Sequence, residues 1–440
     1  MRCCKRLGCW SEGRAQLLEY WLDPDRDRRF FFCQIEAVET AIYLLEAADK
    51  HNTERVARTL QESSREAASS LYRVAFKMAT GSGKTVVMAM IIAWQVLNRL
   101  ANPQDKRFSD AFLIVAPGIT IRDRLRVLLP EDPQNFYRQR DVVTNEQLEQ
   151  LRSAKIVITN FHGFLRREKI SAGKLTKAIL SDGKDDAFVE SPDEMVRRVC
   201  RGMEKKRNIV VINDEAHHCY RSKPVADDEA PIKGAERKEA EQREEEARIW
   251  LSGLEAVKKK LGIRMVYDLS ATPFFLRGSG YREGTLFPWV VSDFSLIDAI
   301  ESGIVKVPRV PVEDDQMTGD MPTYRDLWGR IREHLPKKSL GDSSGREPNL
   351  PKDLQGALYS LYGNYEKYHR SWESASEARE KGQTAPVFIV VCNNTSVSKL
   401  VYDFIAGWEK PLPDGSSVVV PGEFAIFSNV DGDRWRRRPK

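Results

Sequence analysis

The residues best suited to chemistry begin with Met78-Ala79-Thr80-Gly81-Ser82-Gly83-Lys84-Thr85. This run follows an apolar, strand-like segment and opens the apolar helical stretch Val86–Leu97, the setting a phosphate-binding loop requires. Gly81 and Gly83 let the backbone around Thr80 and Ser82 curl so that its N–H groups face the phosphates, and the helix N-terminus adds favourable potential. Lys84 is placed to reach the β- and γ-phosphates, and the Thr85 hydroxyl to ligate Mg²⁺. The strict motif asks for glycine where this chain has Met78. A second candidate lies where the apolar run Asn208–Ile212 leads into Asn213-Asp214-Glu215-Ala216-His217-His218. A buried strand that delivers two consecutive carboxylates to its C-terminal end needs a cation there, and ligands bind at that end of open α/β sheets. Asp214 suits Mg²⁺, held through water, and Glu215 suits the orientation and polarisation of an attacking water. The third candidate is Ser270-Ala271-Thr272, at the end of another apolar run.

These residues need a scaffold that brings several strand ends together. Arg73–Met78, Phe112–Ala116, Lys155–Thr159, Asn208–Ile212 and Met265–Leu269 read as strands, several of them continuously apolar, as in parallel sheets covered on both faces. Helical stretches separate them, starting with an amphipathic helix on Ile35, Val38, Ile42 and Leu45, then a polar one over 52–68. The pattern predicts an open α/β fold with a parallel sheet. Residues 226–248 hold nine acids and five bases, with Glu239/Arg243 and Glu244/Arg248 four apart, and read as a solvated surface helix. Residues 313–353 are rich in Pro, Gly, Asp and Ser and read as an irregular connection. Tyr359, Tyr362, Tyr365 and Tyr368 step along a helix as a packing stripe, with base stacking as the minority reading. Pro386–Cys392 reads as a new buried strand, Val397–Ala406 as a helix, and Phe424–Phe427 as a further strand.

Composition narrows the function classes. Over 440 residues, 41% are hydrophobic and 30% charged, enough for a large core and incompatible with a wholly disordered chain. No apolar run is long enough to span a bilayer, and the basic start Met1–Trp10 lacks the apolar core of a secretory signal, so a cytoplasmic protein is expected. The excess of 69 Lys and Arg over 64 Asp and Glu is too small to imply nucleic-acid binding, which rests on local clusters instead. Seven cysteines, an odd number, fit free thiols in a reducing compartment; Cys3, Cys4, Cys9 and Cys33 are poorly spaced for zinc. Adjacent His217, His218 and Cys219 do not converge readily on one ion either. Pro192-Asp193 with Glu204-Lys205-Lys206 matches a loose nuclease string, but it falls between two strands where no nuclease fold has room.

Taken together, the three motifs resemble the superfamily-two helicases and translocases over about residues 30–312, with a piece beyond 385. By resemblance, Met78–Thr85 is motif I, Asp214-Glu215-Ala216-His217 is a DEAH form of motif II, and Ser270-Ala271-Thr272 is the coupling motif III. Ala116-Pro117-Gly118 followed by Arg122, Arg124 and Arg126 is similar to motif Ia, and Thr159 and Asn160 sit where motif Ib lies; both sets contact nucleic acid in the family. Gln34, just before a helix, resembles the adenine-sensing Q motif. The MATGSGKT form, Ser270–Phe275 and Phe294–Gly303 narrow the resemblance to the helicase (R, Res) subunit of type III restriction enzymes. Val387–Thr395 resembles the opening of a second RecA-like domain.

The resemblance implies ATP and Mg²⁺ as cofactors, duplex DNA as track, and a DNA methyltransferase subunit as partner. The organisation expected is an extension over 1–29 and a first RecA-like ATP-binding domain over 30–312 with a charged insertion at 226–250. A connecting helical region over 313–385 and the incomplete start of a second RecA-like domain over 386–440 follow. Motifs V and VI are not found, so the chain is expected to stop before them; Arg434–Arg438 lacks the spacing of an arginine finger, and a nuclease domain is expected beyond Lys440. Two alternatives stay open: a nucleotide- and DNA-binding fragment without turnover, and an RNA-directed DEAH-type helicase.

Overall fold

The computed structural model describes residues 12–48, 58–60, 62, 71–168, 189–223, 235–308, 326–336, 348–380, 384–412, 414–431 and 434–436. The chain divides into two compact units, residues 1–307 and 308–440.

The first unit is built on α1 (Glu12–Leu22), α2 (Phe32–Glu46), β1 (Arg73–Met78), α3 (Lys84–Ala101), β2 (Ala111–Ala116), α4 (Ile119–Arg124), β3 (Lys155–Asn160), α5 (Pro192–Val199), β4 (Ile209–Asp214), α6 (Ala235–Leu261), β5 (Ile263–Ser270), β6 (Val290–Phe294) and α7 (Leu296–Glu301). The strands form one six-stranded sheet in the order β3-β2-β4-β5-β1-β6, and every pairing in it is parallel. This is the RecA-like α/β architecture expected.

Side-chain alternation explains why continuous apolar runs became these strands. Val74, Phe76, Met78, Ile114, Ile212 and Tyr267 point into one core, against α1, α2 and α3. Leu113, Val115, Ile209, Val211 and Val266 point into the other, against α5 and α6. A strand buried on both faces carries few polar positions to betray its period. Helix α3 is buried from Val86 to Asn98, all round, because it lies between the sheet and helices α1 and α2.

Three points differ from those expectations or lie outside the described residues. The polar helix over 52–68 falls largely outside the described residues, as do Cys3, Cys4 and Cys9. Strand β6, whose sequence Val290-Val291-Ser292-Asp293-Phe294 carries little apolar signal, completes the sheet by pairing with β1. Residues 226–234 of the charged stretch lie outside the described residues, and 235–250 are the outer part of a continuous helix, α6: residues 237–246 are exposed or half-exposed, whereas Ala247, Trp250, Leu251 and Leu254 enter the core. The pairs anticipated on it are replaced by Arg237–Glu241 at 2.8 Å and Arg248–Glu245 at 3.8 Å, and Arg243 donates to the Glu239 carbonyl instead. Long exposed side chains exchange such partners at little cost.

The second unit holds α8 (Lys352–Ser374), α9 (Thr395–Ala406) and the antiparallel hairpin β7 (Gly407–Pro411) with β8 (Ser417–Pro421). Its core joins Leu354, Leu358, Val397, Val401, Phe404 and Phe424. The tyrosine stripe packs: Tyr362 stacks on Phe424 with ring centres 4.2 Å apart, Tyr365 lies 4.9 Å from Phe427, and only Tyr368 of the four is largely exposed, at 59%. Two strand assignments are corrected. Pro386–Cys392 pairs with no strand among the described residues; Phe388, Val390 and Cys392 pack on the core, while Val387, Ile389 and Val391 are 75%, 77% and 90% exposed. An apolar run becomes a strand only beside a neighbour that completes its ladder. Phe424–Phe427 is a turn, closed by hydrogen bonds from Phe427 and Ser428 N–H to the Phe424 carbonyl, because both phenylalanines fold back onto α8.

Candidate active site at the strand ends

Sheet order does the first part of the assembly. β5 lies between β4 and β1, so the Ser270 turn sits between the phosphate loop and the acidic pair. The register aligns Lys77 with Ser270 and Leu269 with Asp214.

The loop after β1 turns into α3 through two left-handed glycines, Gly81 at φ +88° and Gly83 at φ +90°. A side chain would meet resistance at Gly83 twice over: that φ disfavours L residues, and a Cβ would fall 2.1 Å from Gln34 Nε2. Gln34 donates to the Ser82 carbonyl at 2.9 Å, while its Oε1 accepts the Phe31 N–H at 3.0 Å. Gln34, placed in sequence beside a helix, is therefore folded onto the phosphate loop. Ser82 is fully buried, and its hydroxyl donates to the Ala79 carbonyl. Thr85 is half-buried on the first turn of α3.

Lys84 Nζ stands 3.2 Å from Glu215 Oε1, which joins the loop to the acidic pair. Asp214 is 8% exposed, and one of its oxygens accepts the Glu215 N–H at 3.1 Å. Burial, reinforced by the neighbouring Glu215 charge and opposed by Lys84, raises the Asp214 carboxyl to about 6. A carboxylate so poorly accommodated alone fits a site for Mg²⁺, whose charge would restore the ionised form. Among the described residues no group of three or more His, Cys, Asp and Glu could hold a metal.

Glu215 itself has φ 49° and ψ 50°, a left-handed conformation that costs a non-glycine residue about 1–2 kcal/mol. Strain of this kind gathers at functional sites. His217 Nδ1 is 2.8 Å from Ser270 Oγ and 3.5 Å from Glu215 Oε2. Burial, with help from His218 and Lys84, lowers His217 to about 4, so the ring is neutral at physiological pH. Ser270 Oγ also accepts the Thr272 N–H at 3.0 Å, and so links the turn after β5 to the histidine after β4.

The residues assigned to nucleic acid lie apart from this set, on the far side of the sheet order. Arg122, Arg124 and Arg126 follow β2; Arg122 pairs with Asp123 at 2.7 Å, and Arg126 approaches Asp132 at 3.9 Å. Thr159 and Asn160 end β3; Thr159 Oγ1 donates to the Asn160 carbonyl and Asn160 is buried. The nuclease-like string does not converge: Asp193 sits in the first turn of α5, Glu204 accepts the Gly202 N–H, and Lys206 pairs with Asp110. Cys219 is a buried thiol, pushed up to about 12 by desolvation.

Several residues behind the site escaped the sequence reading. Arg73, Asn213 and Asp268 form a buried polar set beneath the strand ends. Val305 lies against Gly81, at 3.5 Å from where a Cβ would stand. The available signal for the first set was a charge within each of the runs Arg73–Met78 and Ile263–Ser270, since a charge in a buried strand needs a partner.

A RecA-like sheet whose neighbouring strand ends carry a phosphate loop, an acidic pair and a Ser-Ala-Thr turn defines a helicase-like nucleotide-binding protein. The chain belongs to the family described as type III restriction enzyme, res subunit, whose model matches residues 31–275. No curated protein matches the chain. Among the described residues, no helix is long and apolar enough to cross a membrane.

Proposed function

We propose that the chain is an ATP-dependent DNA translocase or helicase subunit of a type III-like restriction system, with ATP·Mg²⁺ handled in the first unit. The observation that carries this reading is the approach of Lys84 to Glu215, at 3.2 Å, across strand ends that also hold Asp214 and the His217–Ser270 pair. Loop N–H groups, together with Lys84, bind the β- and γ-phosphates. Thr85 and Asp214 would hold the magnesium, which when bound neutralises charge on the phosphate oxygens. Lys84 turns from Glu215 to the phosphate, leaving the Glu215 carboxylate to orient a water and take its proton. The water oxygen bonds to the γ-phosphorus, the bond to the β–γ bridging oxygen breaks, and ADP and phosphate leave. Neutral His217 and Ser270 carry the resulting movement between the ends of β4 and β5. Arg122, Arg124, Arg126 and Thr159 meet the DNA backbone, with buried Asn160 supporting the end of β3 beneath them, and a methyltransferase subunit supplies sequence recognition.

The test is ATP hydrolysis by the purified chain with duplex DNA, single-stranded DNA and RNA at several salt concentrations, since phosphate contacts make affinity salt-dependent. Duplex DNA should stimulate most. Lys84→Ala should abolish nucleotide binding, and Glu215→Gln should retain binding while lowering turnover about 10²–10⁴-fold. Turnover that is unchanged in both variants would overturn the assignment. Nucleotide binding without DNA-stimulated turnover would favour a binding fragment, and stronger stimulation by RNA would favour an RNA track.

A further inference from the structure

Directly beneath the strand ends runs a buried polar rung. Asn213 on β4 and Asp268 on β5 are register partners. Asn213 Nδ2 donates to Asp268 Oδ1 at 2.8 Å. Asp268 Oδ2 accepts from Arg73 Nε on β1 at 2.7 Å and from Trp289 Nε1, just before β6, at 2.9 Å. Asn213 Oδ1 accepts from Trp250 Nε1 on α6 at 3.2 Å. All five side chains are at most 1% exposed, and the Arg73 guanidinium lies 4.9 Å from the centre of the Trp289 ring.

Such a rung is a costly way to hold a core together. Desolvating a charge pair offsets most of its attraction, and two of the Arg73 nitrogens lack an oxygen or nitrogen partner among the described residues. Apolar residues would pack this layer at least as well. What the rung provides is direction: each bond fixes one strand against the next at a single register, whereas apolar contacts tolerate sliding. Its location matches that use. Asn213 precedes Asp214 directly, and Asp268 stands two residues before Ser270 on the same face of β5. The strands it ties are the ones that carry the phosphate loop, the acidic pair and the Ser270 turn.

We propose that Asn213 and Asp268 are positioning residues for the hydrolytic step, their hydrogen bond setting Asp214 and Glu215 in register with Ser270 and the phosphate loop. This rests on the ATP hydrolysis proposed above. Neither side chain reaches the nucleotide, so the rung governs how fast bound ATP reacts and leaves its affinity alone.

The bond pattern supplies its own test. Asn213→Asp sets two carboxylates face to face with no donor between them, and Asp268→Asn removes the charge that Arg73 faces. The double exchange Asn213→Asp with Asp268→Asn reverses the central bond and preserves it: the new amide donates to the new carboxylate, which still accepts from Trp250, and the amide oxygen still accepts from Arg73 and Trp289. For the full chain and each variant, turnover per folded molecule and the Kd of a fluorescent ATP analogue are measured. Each single variant should lower kcat by at least about tenfold, the scale of a small misplacement of reacting groups, with Kd within about threefold of the parent. The exchange should recover most of the lost kcat. Single variants that melt earlier yet turn over at the parent kcat would reduce the rung to a structural role and overturn the proposal. An exchange that folds and binds nucleotide but stays as slow as the singles would overturn it too, and this arm decides the matter if a single variant fails to fold. A parent chain that binds nucleotide without hydrolysing it would instead sink the underlying reading.

Discussion

At the scale of single residues, the site carries a charge it is poorly built to hold alone. Asp214 is nearly buried, faces Glu215, and has its carboxyl raised to about 6. A carboxyl whose folded-state value exceeds its ordinary value of about 4 binds its proton more tightly in the folded chain. Stability therefore falls as pH rises from about 4 to about 6, and the loss persists above that range. Asp214→Asn removes the ionisation. The nucleotide-free variant should melt higher than the parent at pH 8, by about 1–3 kcal/mol, and the gap should narrow at pH 5. It should also lose magnesium-dependent turnover, so the same substitution stabilises the fold and disables the site. Calorimetric melts at the two pH values check this; a lower midpoint for the variant at pH 8 would refute it. Residues of this kind were legible because their types carry the chemistry: a lysine after glycines, two acids after an apolar run. Asn213, Asp268 and Arg73 were not, since their meaning comes from cross-strand register, which a linear string does not contain.

At the scale of elements, the same contrast recurs. β2 and β4 could be read because strands covered on both faces are nearly all apolar, and β1, β3 and β5 because apolar residues still dominate them; the two core clusters sort these residues alternately. β6 could not, because Ser292 and Asp293 interrupt its pattern and pairing with β1 defines it. Pro386–Cys392 has the opposite fault, an apolar pattern with no ladder partner among the described residues. The charged helix α6 was read for its outer half alone, although its inner half anchors it. Gly253 on α6 lies so close to the turn Phe161–Phe164 that a Cβ there would fall 2.2 Å from the Phe164 ring and 2.7 Å from its Cβ. The ring cannot swing clear of atoms that near its own root. Gly253→Ala should therefore destabilise the first unit by about 1–3 kcal/mol despite the better helix propensity of alanine, through overpacking. A melting midpoint equal to or above the parent's would show that the turn gives way freely.

At the scale of the whole molecule, the two compact units are separable by their cores. The clusters that hold the sheet draw on residues 17–304, and the cluster of the second unit draws on residues 327–427, with no residue in common. A unit that owns its core meets the basic requirement for folding alone. All the residues proposed to bind ATP and magnesium, from Gln34 to Asp214, fall in the first unit. A fragment of residues 1–307 should therefore melt in one cooperative transition and bind a fluorescent ATP analogue with a Kd within about threefold of the full chain, because ligand affinity follows the site that is retained. Lys84→Ala in that fragment should remove the binding, which ties the signal to the phosphate loop. A fragment that is folded by circular dichroism but binds no nucleotide, beside a full chain that does, would show that residues after 307 complete the site. In that case the boundary seen in the packing is not a boundary in the chemistry.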